Sequence, residues 1–207
     1  MRLLGANVTI ERGGRRLFSN LSFALGAGEA LTVRGPNGAG KSSLLRAIAG
    51  LLPLAAGKVR LEGGDDEQSA GAQAHYLGHA DALKGALTAR ENLSFWAATL
   101  RGGGPPPSPV AVALDRLGLA HAIDFPVAYL SAGQKRRVAL ARLLVAYRPL
   151  WLLDEPTSAL DAASQARLAE LMRDHLAAGG MIVAATHAPL GLDARALMLG
   201  AQQPALS

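Results

Sequence analysis

Two stretches of this chain carry residue types at spacings that can do chemistry. The first is Gly35-Pro36-Asn37-Gly38-Ala39-Gly40-Lys41-Ser42, followed by Ser43, with the spacing G-x-x-x-x-G-K-S. Its glycines let successive backbone N–H groups converge on phosphate oxygens without a Cβ in the way. A helix beginning at this loop would turn its positive dipole end toward the same anion. Lys41 can set an ammonium against the terminal phosphates of a nucleotide, and Ser42 can offer a hydroxyl to Mg²⁺. The second stretch is the apolar run Leu150-Trp151-Leu152-Leu153, which ends in Asp154-Glu155. A buried strand there would deliver both acids to the carboxyl edge of a sheet, where open α/β sheets bind ligands. Asp154 would then hold Mg²⁺ through water, and Glu155 would polarise an attacking water as general base.

These groups work only if the flanking elements place them. Ala30–Val33 is apolar and leads into the glycine loop, and the apolar positions after Ser42 (Leu44, Leu45, Ile48) recur at helical spacing. That is a strand–loop–helix unit. Upstream, the alternation from Leu3, punctuated by Gly13-Gly14 and Gly26–Gly28, predicts short antiparallel strands, and Lys58–Leu61 predicts another. Helical patterns cover Leu87–Leu100, with Thr88 and Glu91 spaced as a capping box, then Val110–Leu117 and Gly133–Val145. Gly102–Pro109 is expected to be a surface loop. Strand Leu150–Leu153, helix Ala162–Ala178 and strand Met181–Thr186 complete the alternation of a parallel α/β sheet.

The bulk properties narrow the options. At 207 residues, half of them hydrophobic, the chain suits a single domain with a sizeable core. No stretch approaches the roughly 18 apolar residues of a membrane span. Residues 1–10 lack the pattern of a secretion signal. With no cysteine there is neither a disulfide framework nor a thiolate metal site. The net charge of +5 is compatible with nucleic acid or an anionic membrane surface, but only Lys135–Arg137 forms a tight basic run, which favours a solvated surface.

Three further segments give the pattern a family. Leu130-Ser131-Ala132-Gly133-Gln134 resembles the LSGGQ signature of ABC ATPases, Ser158-Ala159-Leu160-Asp161 resembles their D-loop, and Thr186-His187 their switch histidine. With the glycine loop and the acid pair, five motifs stand in the family's order. The resemblance implies a P-loop NTPase fold of the ABC type. It would have a RecA-like core at about 1–78 and 138–207, an N-terminal antiparallel β-subdomain, and an inserted helical subdomain at about 79–137. It also implies ATP with Mg²⁺ as the cofactor pair, and two such chains packed head to tail. Ser131, Ala132, Gly133 and Gln134 of each would then close over ATP held by the other. His187 would orient the attacking water, and Asp161 would couple the two sites.

Two positions depart from that pattern. His79 stands where the family's glutamine contacts Mg²⁺ and faces a membrane subunit, and an imidazole there can change charge near neutral pH. The aromatic expected to stack on adenine before Gly13-Gly14 is absent; Arg12 stands there and could stack its guanidinium instead. Together with LSAGQ running into Lys135–Arg142, the segment Arg90–Phe95 and Thr186–Leu190, the chain is similar to the ATP-binding subunit of the haem exporter of bacterial cytochrome c maturation. That implies an integral membrane partner, a second ATP-binding subunit, no nucleic acid, and a peripheral place on the cytoplasmic face of the inner membrane. The alternatives are the ATPase subunit of another ABC transporter, a soluble ABC ATPase of DNA or ribosomes, and an ATP sensor without turnover. The absence of heptads between Ser42 and Leu130 opposes the chromosome type, and the pairing of Glu155 with His187 opposes the sensor.

Overall fold

The computed structural model describes residues 1–100 and 108–200. Most of the expected Gly102–Pro109 loop therefore lies outside the described residues, and Ser108 and Pro109 lead directly into a helix. Two sheets organise the fold. An antiparallel sheet is built from β1 (Arg2–Arg12), β2 (Arg15–Gly26) and β4 (Ala56–Glu62), in the order β2-β1-β4. A parallel sheet is built from β3 (Ala30–Arg34), β5 (Ala74–Leu77), β6 (Leu150–Asp154), β7 (Met181–Ala185) and β8 (Arg195–Met198), in the order β5-β6-β7-β3-β8. Parallel neighbours need crossover connections, which α1 (Lys41–Ile48) and α5 (Ala162–Ala177) provide. The remaining α-helices among the described residues are α2 (Ala89–Thr99), α3 (Val110–Arg116) and α4 (Ala132–Val145), with 3₁₀ turns at Ala120–Ala122 and Val127–Tyr129 between α3 and α4.

The sheet core follows from the two-residue period of a strand, which sends successive side chains to opposite faces. Leu150 and Leu152 of β6, with Met181, Val183 and Ala185 of β7, pack with α1 and the antiparallel sheet. Trp151 and Leu153, with Ile182 and Ala184, face the other way, onto the helices that follow Ala89. Every residue of β6 and β7 is buried, which is why both read as unbroken apolar runs rather than alternating ones. Burial at about 25 cal/mol per Å² makes these two layers the main source of cohesion.

The long hairpin of β1 and β2 replaces the short strands expected there. Arg12 pairs with Arg15 across Gly13 and Gly14, whose φ angles of 57° and 73° are those of a two-residue turn matched to strand twist. Register shifts between Gly5 and Glu11 bend the ladder over the core. Strands β5 and β8 were not legible as strands in the sequence. Each has four residues on an edge of the sheet, too short to show a period. The Thr88–Glu91 capping box is present at the start of α2, and Ser131 with Gln134 forms a second one at the start of α4. That cap starts α4 at Ala132, and the helix runs unbroken across position 137, where the helical insertion was expected to end.

Two histidines are built into the core. His75 Nε2 donates to the Ala146 carbonyl at 2.8 Å, and the His175 ring stacks on Trp151 at 3.9 Å between centroids. Burial holds the first down to about 3 and the second to about 4, against an ordinary value of 6.5. Both rings are neutral in the folded chain but gain a proton when unfolded below pH 6.5. Stability is therefore full above pH 6.5 and is lost as pH falls toward 4, by about 1.4 kcal/mol per histidine for each pH unit crossed. Thermal unfolding midpoints should drop steeply between pH 6.5 and 4, and His75→Gln, which keeps a donor but cannot titrate, should flatten the slope. An unchanged slope in that variant would contradict the assignment.

Candidate active site

Because the strands run parallel, the loops leaving β3, β6 and β7 emerge at one edge of the sheet. That edge holds a cleft of about 440 Å³ lined by Arg12, Leu17, Asn37, Gly38, Gly40–Ser43, Asp154, Glu155 and His187. Residues from four separate stretches of sequence thus meet in one place. At its floor, the Ser42 hydroxyl donates to Asp154 Oδ1 at 3.0 Å. Asp154 is buried as the last residue of β6, so its carboxylate enters the cleft from below.

The phosphate loop is held by its own lysine. Lys41 Nζ donates to the carbonyls of Gly35 and Pro36 at 2.9 and 3.2 Å, closing the loop into a ring. Gly40 has φ of 100°, and a Cβ on it would lie 3.0 Å from the Phe18 ring, so the β2 strand packs directly against the loop. As N-cap of α1, Gly40 offers no side-chain acceptor. The first N–H groups of α1, from Lys41 to Ser43, therefore face the cleft with no partner inside the helix, a ready anion site.

Glu155 follows Asp154 with φ of 46°, the left-handed region that non-glycine residues seldom enter. Its N–H donates to the Ala185 carbonyl at 2.8 Å, tying it to the end of β7 two residues before His187. Strain of this kind persists where surrounding bonds over-determine it, and it turns the Glu155 side chain out over the end of the strand. The Thr186 hydroxyl accepts from the Ala188 N–H at 3.0 Å and shapes the turn that carries His187. The adjacent hard oxygens of Ser42 and Asp154 are of the kind that suit Mg²⁺, directly or through water. Among the described residues, no cluster of three or more His, Cys, Asp or Glu could hold a metal alone. A metal here would come with the nucleotide.

Other expected site residues lie apart from this cleft. Ser131 and Gln134 bond each other across the capping box: Ser131 Oγ accepts from the Gln134 N–H at 3.2 Å and Gln134 Oε1 accepts from the Ser131 N–H at 2.9 Å. That arrangement uses the hydroxyl oxygen and leaves its hydrogen free to donate outward. Ala132 opens α4, and a Cβ on Gly133 would lie 2.9 Å from the Ala159 carbonyl, so the signature abuts the loop that ends at Asp161. Asp161 caps α5 by accepting from the Ser164 N–H at 2.7 Å, and its bonds to Ser164 hold the carboxyl below its ordinary range. His79 is exposed just beyond β5 and does not line the cleft.

Two residues were missed from the sequence. Leu17 stands beside Arg12 at the mouth of the cleft, and only the hairpin register could have revealed it. Arg136 is buried behind Glu155, although it reads in sequence as one member of a surface basic run.

Known proteins resemble this chain in sequence and fold. The ABC transporter family matches residues 18–158. A cytochrome c biogenesis ATP-binding export protein, CcmA, of Nitrobacter winogradskyi is 57% identical over 97% of this chain and 98% of its own. The protein of the same name from Mesorhizobium japonicum is 56% identical over 97% of this chain and 98% of its own. A putative ABC transporter ATP-binding protein from Pyrococcus furiosus shares the fold with a TM-score of 0.81 at 19% identity, covering 96% of this chain and 98% of that one. The chain belongs to the ABC transporter family of ATPases, among its cytochrome c biogenesis ATP-binding export proteins.

Proposed function

We propose that this chain is the ATP-hydrolysing subunit of the haem exporter complex of cytochrome c maturation. In this reading it sits peripherally on the cytoplasmic face of the inner membrane, against an integral partner. The observation that carries the reading is the cleft that joins the glycine loop, Asp154, Glu155 and His187, together with the relatives' names. Among the described residues no helix is long and apolar enough to cross a membrane, in keeping with a peripheral subunit.

In this reading the α1 N–H groups and Lys41 bind the β- and γ-phosphates, Lys41 exchanging its carbonyl partners for phosphate oxygens. Ser42 and Asp154 would hold Mg²⁺, which would supply positive charge to offset that of the phosphates. Glu155 takes a proton from the attacking water, and His187 orients that water toward the γ-phosphate. Arg12 and Leu17 receive the adenine, the guanidinium stacking on its face. The signature of a second copy completes the site: its Ser131 hydroxyl and the N–H groups near Gly133 donate to the γ-phosphate, and its Asp161 stands at the junction of the two sites. Closing around ATP and reopening after hydrolysis is then the stroke passed to the membrane partner, with His79 on the face that meets it.

A tagged chain recovered from detergent-solubilised native membranes should bring with it small integral proteins of cytochrome c maturation. The recovered complex should hydrolyse ATP, and Lys41→Ala should reduce that activity at least about a hundredfold. Recovery with an unrelated permease would discard the haem assignment; recovery with ribosomes or DNA alone would discard the transporter reading.

A site completed by a second copy also has a kinetic signature. Turnover per chain of the isolated subunit should rise with chain concentration and approach proportionality at high dilution. Full turnover in dilute monomer would refute the shared site.

A further inference from the structure

Arg136, buried behind Glu155, is a charged side chain that the reaction as described does not use. It stands in the second turn of α4, is 4% exposed, and divides its donors between two segments. On one side Nη1 donates to the Gly78 carbonyl at 2.9 Å and to Asp81 Oδ1 at 3.0 Å, both in the loop after β5 that carries His79. On the other, Nη2 donates to the carbonyls of Asp154 and Glu155 at 3.1 and 2.9 Å. Its Nε has no partner among the described residues, so the grip lies wholly in the two terminal nitrogens.

A guanidinium is flat and rigid, so its two ends cannot move separately. Displacing the loop at 78–81, or turning α4, therefore either carries the guanidinium away from the carbonyls of Asp154 and Glu155 or breaks its bonds to Gly78 and Asp81. The acceptor is a sensitive one. Glu155 holds a left-handed backbone conformation with φ of 46°; its N–H donates to the Ala185 carbonyl, and its own carbonyl accepts from Arg136 Nη2 and, within the same turn, from the Ser158 N–H at 3.1 Å. Losing the Arg136 bond leaves that carbonyl held only by Ser158, three residues along the same turn, and removes the link from the strained residue to α4. Arg136 makes no hydrogen bond to Gly35–Ser43, so nucleotide binding does not depend on it directly. The nearby Arg142 donates to the Tyr76 carbonyl and stacks over Trp96 at 4.6 Å, which leaves Asp81 as the acid that balances Arg136.

We propose that Arg136 is a positioning residue for hydrolysis: it locks the backbone of Glu155 to the loop at 78–81, so that the carboxylate is aimed at water only while that loop holds its place. The inference rests on the reading of Glu155 as general base. It supplies a physical route by which a partner pressing on the loop would gate turnover and leave ATP binding intact.

The test measures steady-state ATPase and mant-ATP binding of the full chain. The variants are Arg136→Met, which keeps the stem and removes every donor, Arg136→Lys and Asp81→Asn, each alone and with Glu155→Gln. Arg136→Met should lower kcat at least about tenfold, as loss of alignment does. Affinity for mant-ATP should stay within about twofold, the pattern of a lost transition-state contribution. Arg136→Lys should restore part of the rate, and Asp81→Asn should show a smaller fall in kcat of the same kind. In the Glu155→Gln background, Arg136→Met should change little more, because the two act through one group. An undiminished kcat, a parallel loss of ATP binding, or a fall that adds in full to that of Glu155→Gln would overturn the proposal. Should Arg136→Met fail to fold, Arg136→Lys and Asp81→Asn carry the same comparison. Glu155→Gln as active as the parent would instead refute the base assignment beneath it.

Discussion

The hydrogen bond from Ser42 to Asp154 joins residues 112 positions apart, and it can form only if two parallel strands end at the same level. That constraint fixes most of the rest. Strand β3 must run into the glycine loop and β6 must end in its acids at one sheet edge. Strand β7 stands between them, so its exit loop must deliver His187 to the same place. The apolar residues on both faces of β6 and β7 hold this register, because a slip of one residue would exchange the two faces of each strand. Core packing and site geometry are therefore one requirement.

Backbone strain sits where the chemistry does. Glu155 and Ala159 both have positive φ, at 46° and 61°, and bracket the turn between the acid pair and Asp161. Groups from three elements hold that turn: the Ala185 carbonyl of β7, which accepts from the Glu155 N–H, the Arg136 guanidinium of α4, and the capped start of α5. A turn over-determined in this way can have two discrete arrangements rather than a continuum, the kind of element that couples distant events. The signature helix α4 belongs to the same assembly, since its own first turn abuts Ala159 and its second carries Arg136.

Much of this was legible in the sequence. The glycine loop, the acid pair and the capping residue Thr88 announce themselves because local chemistry alone demands them, whereas the Ser131 cap shows only in the structure. Strand β6 was readable because burial on both faces leaves an unbroken apolar run. What stayed hidden depends on long-range pairing. Leu17 reaches the cleft only through the register of the β1–β2 hairpin. Arg136 looks like its neighbours Lys135 and Arg137 until α4 is wound, when one of the three turns inward and is buried. The edge strands β5 and β8 are set by neighbours rather than by their own four residues.

Within one chain the cleft gathers the glycine loop, Ser42, Asp154, Glu155 and His187, while Ser131–Gln134 are not among its lining residues. In the proposed function a second copy supplies that missing wall when ATP is bound. Sedimentation velocity of the Glu155→Gln chain, with and without saturating Mg²⁺ and ATP, tests it most directly. The account predicts a single-chain species without nucleotide and a two-chain species with it. A single-chain species that binds ATP under both conditions would contradict the account.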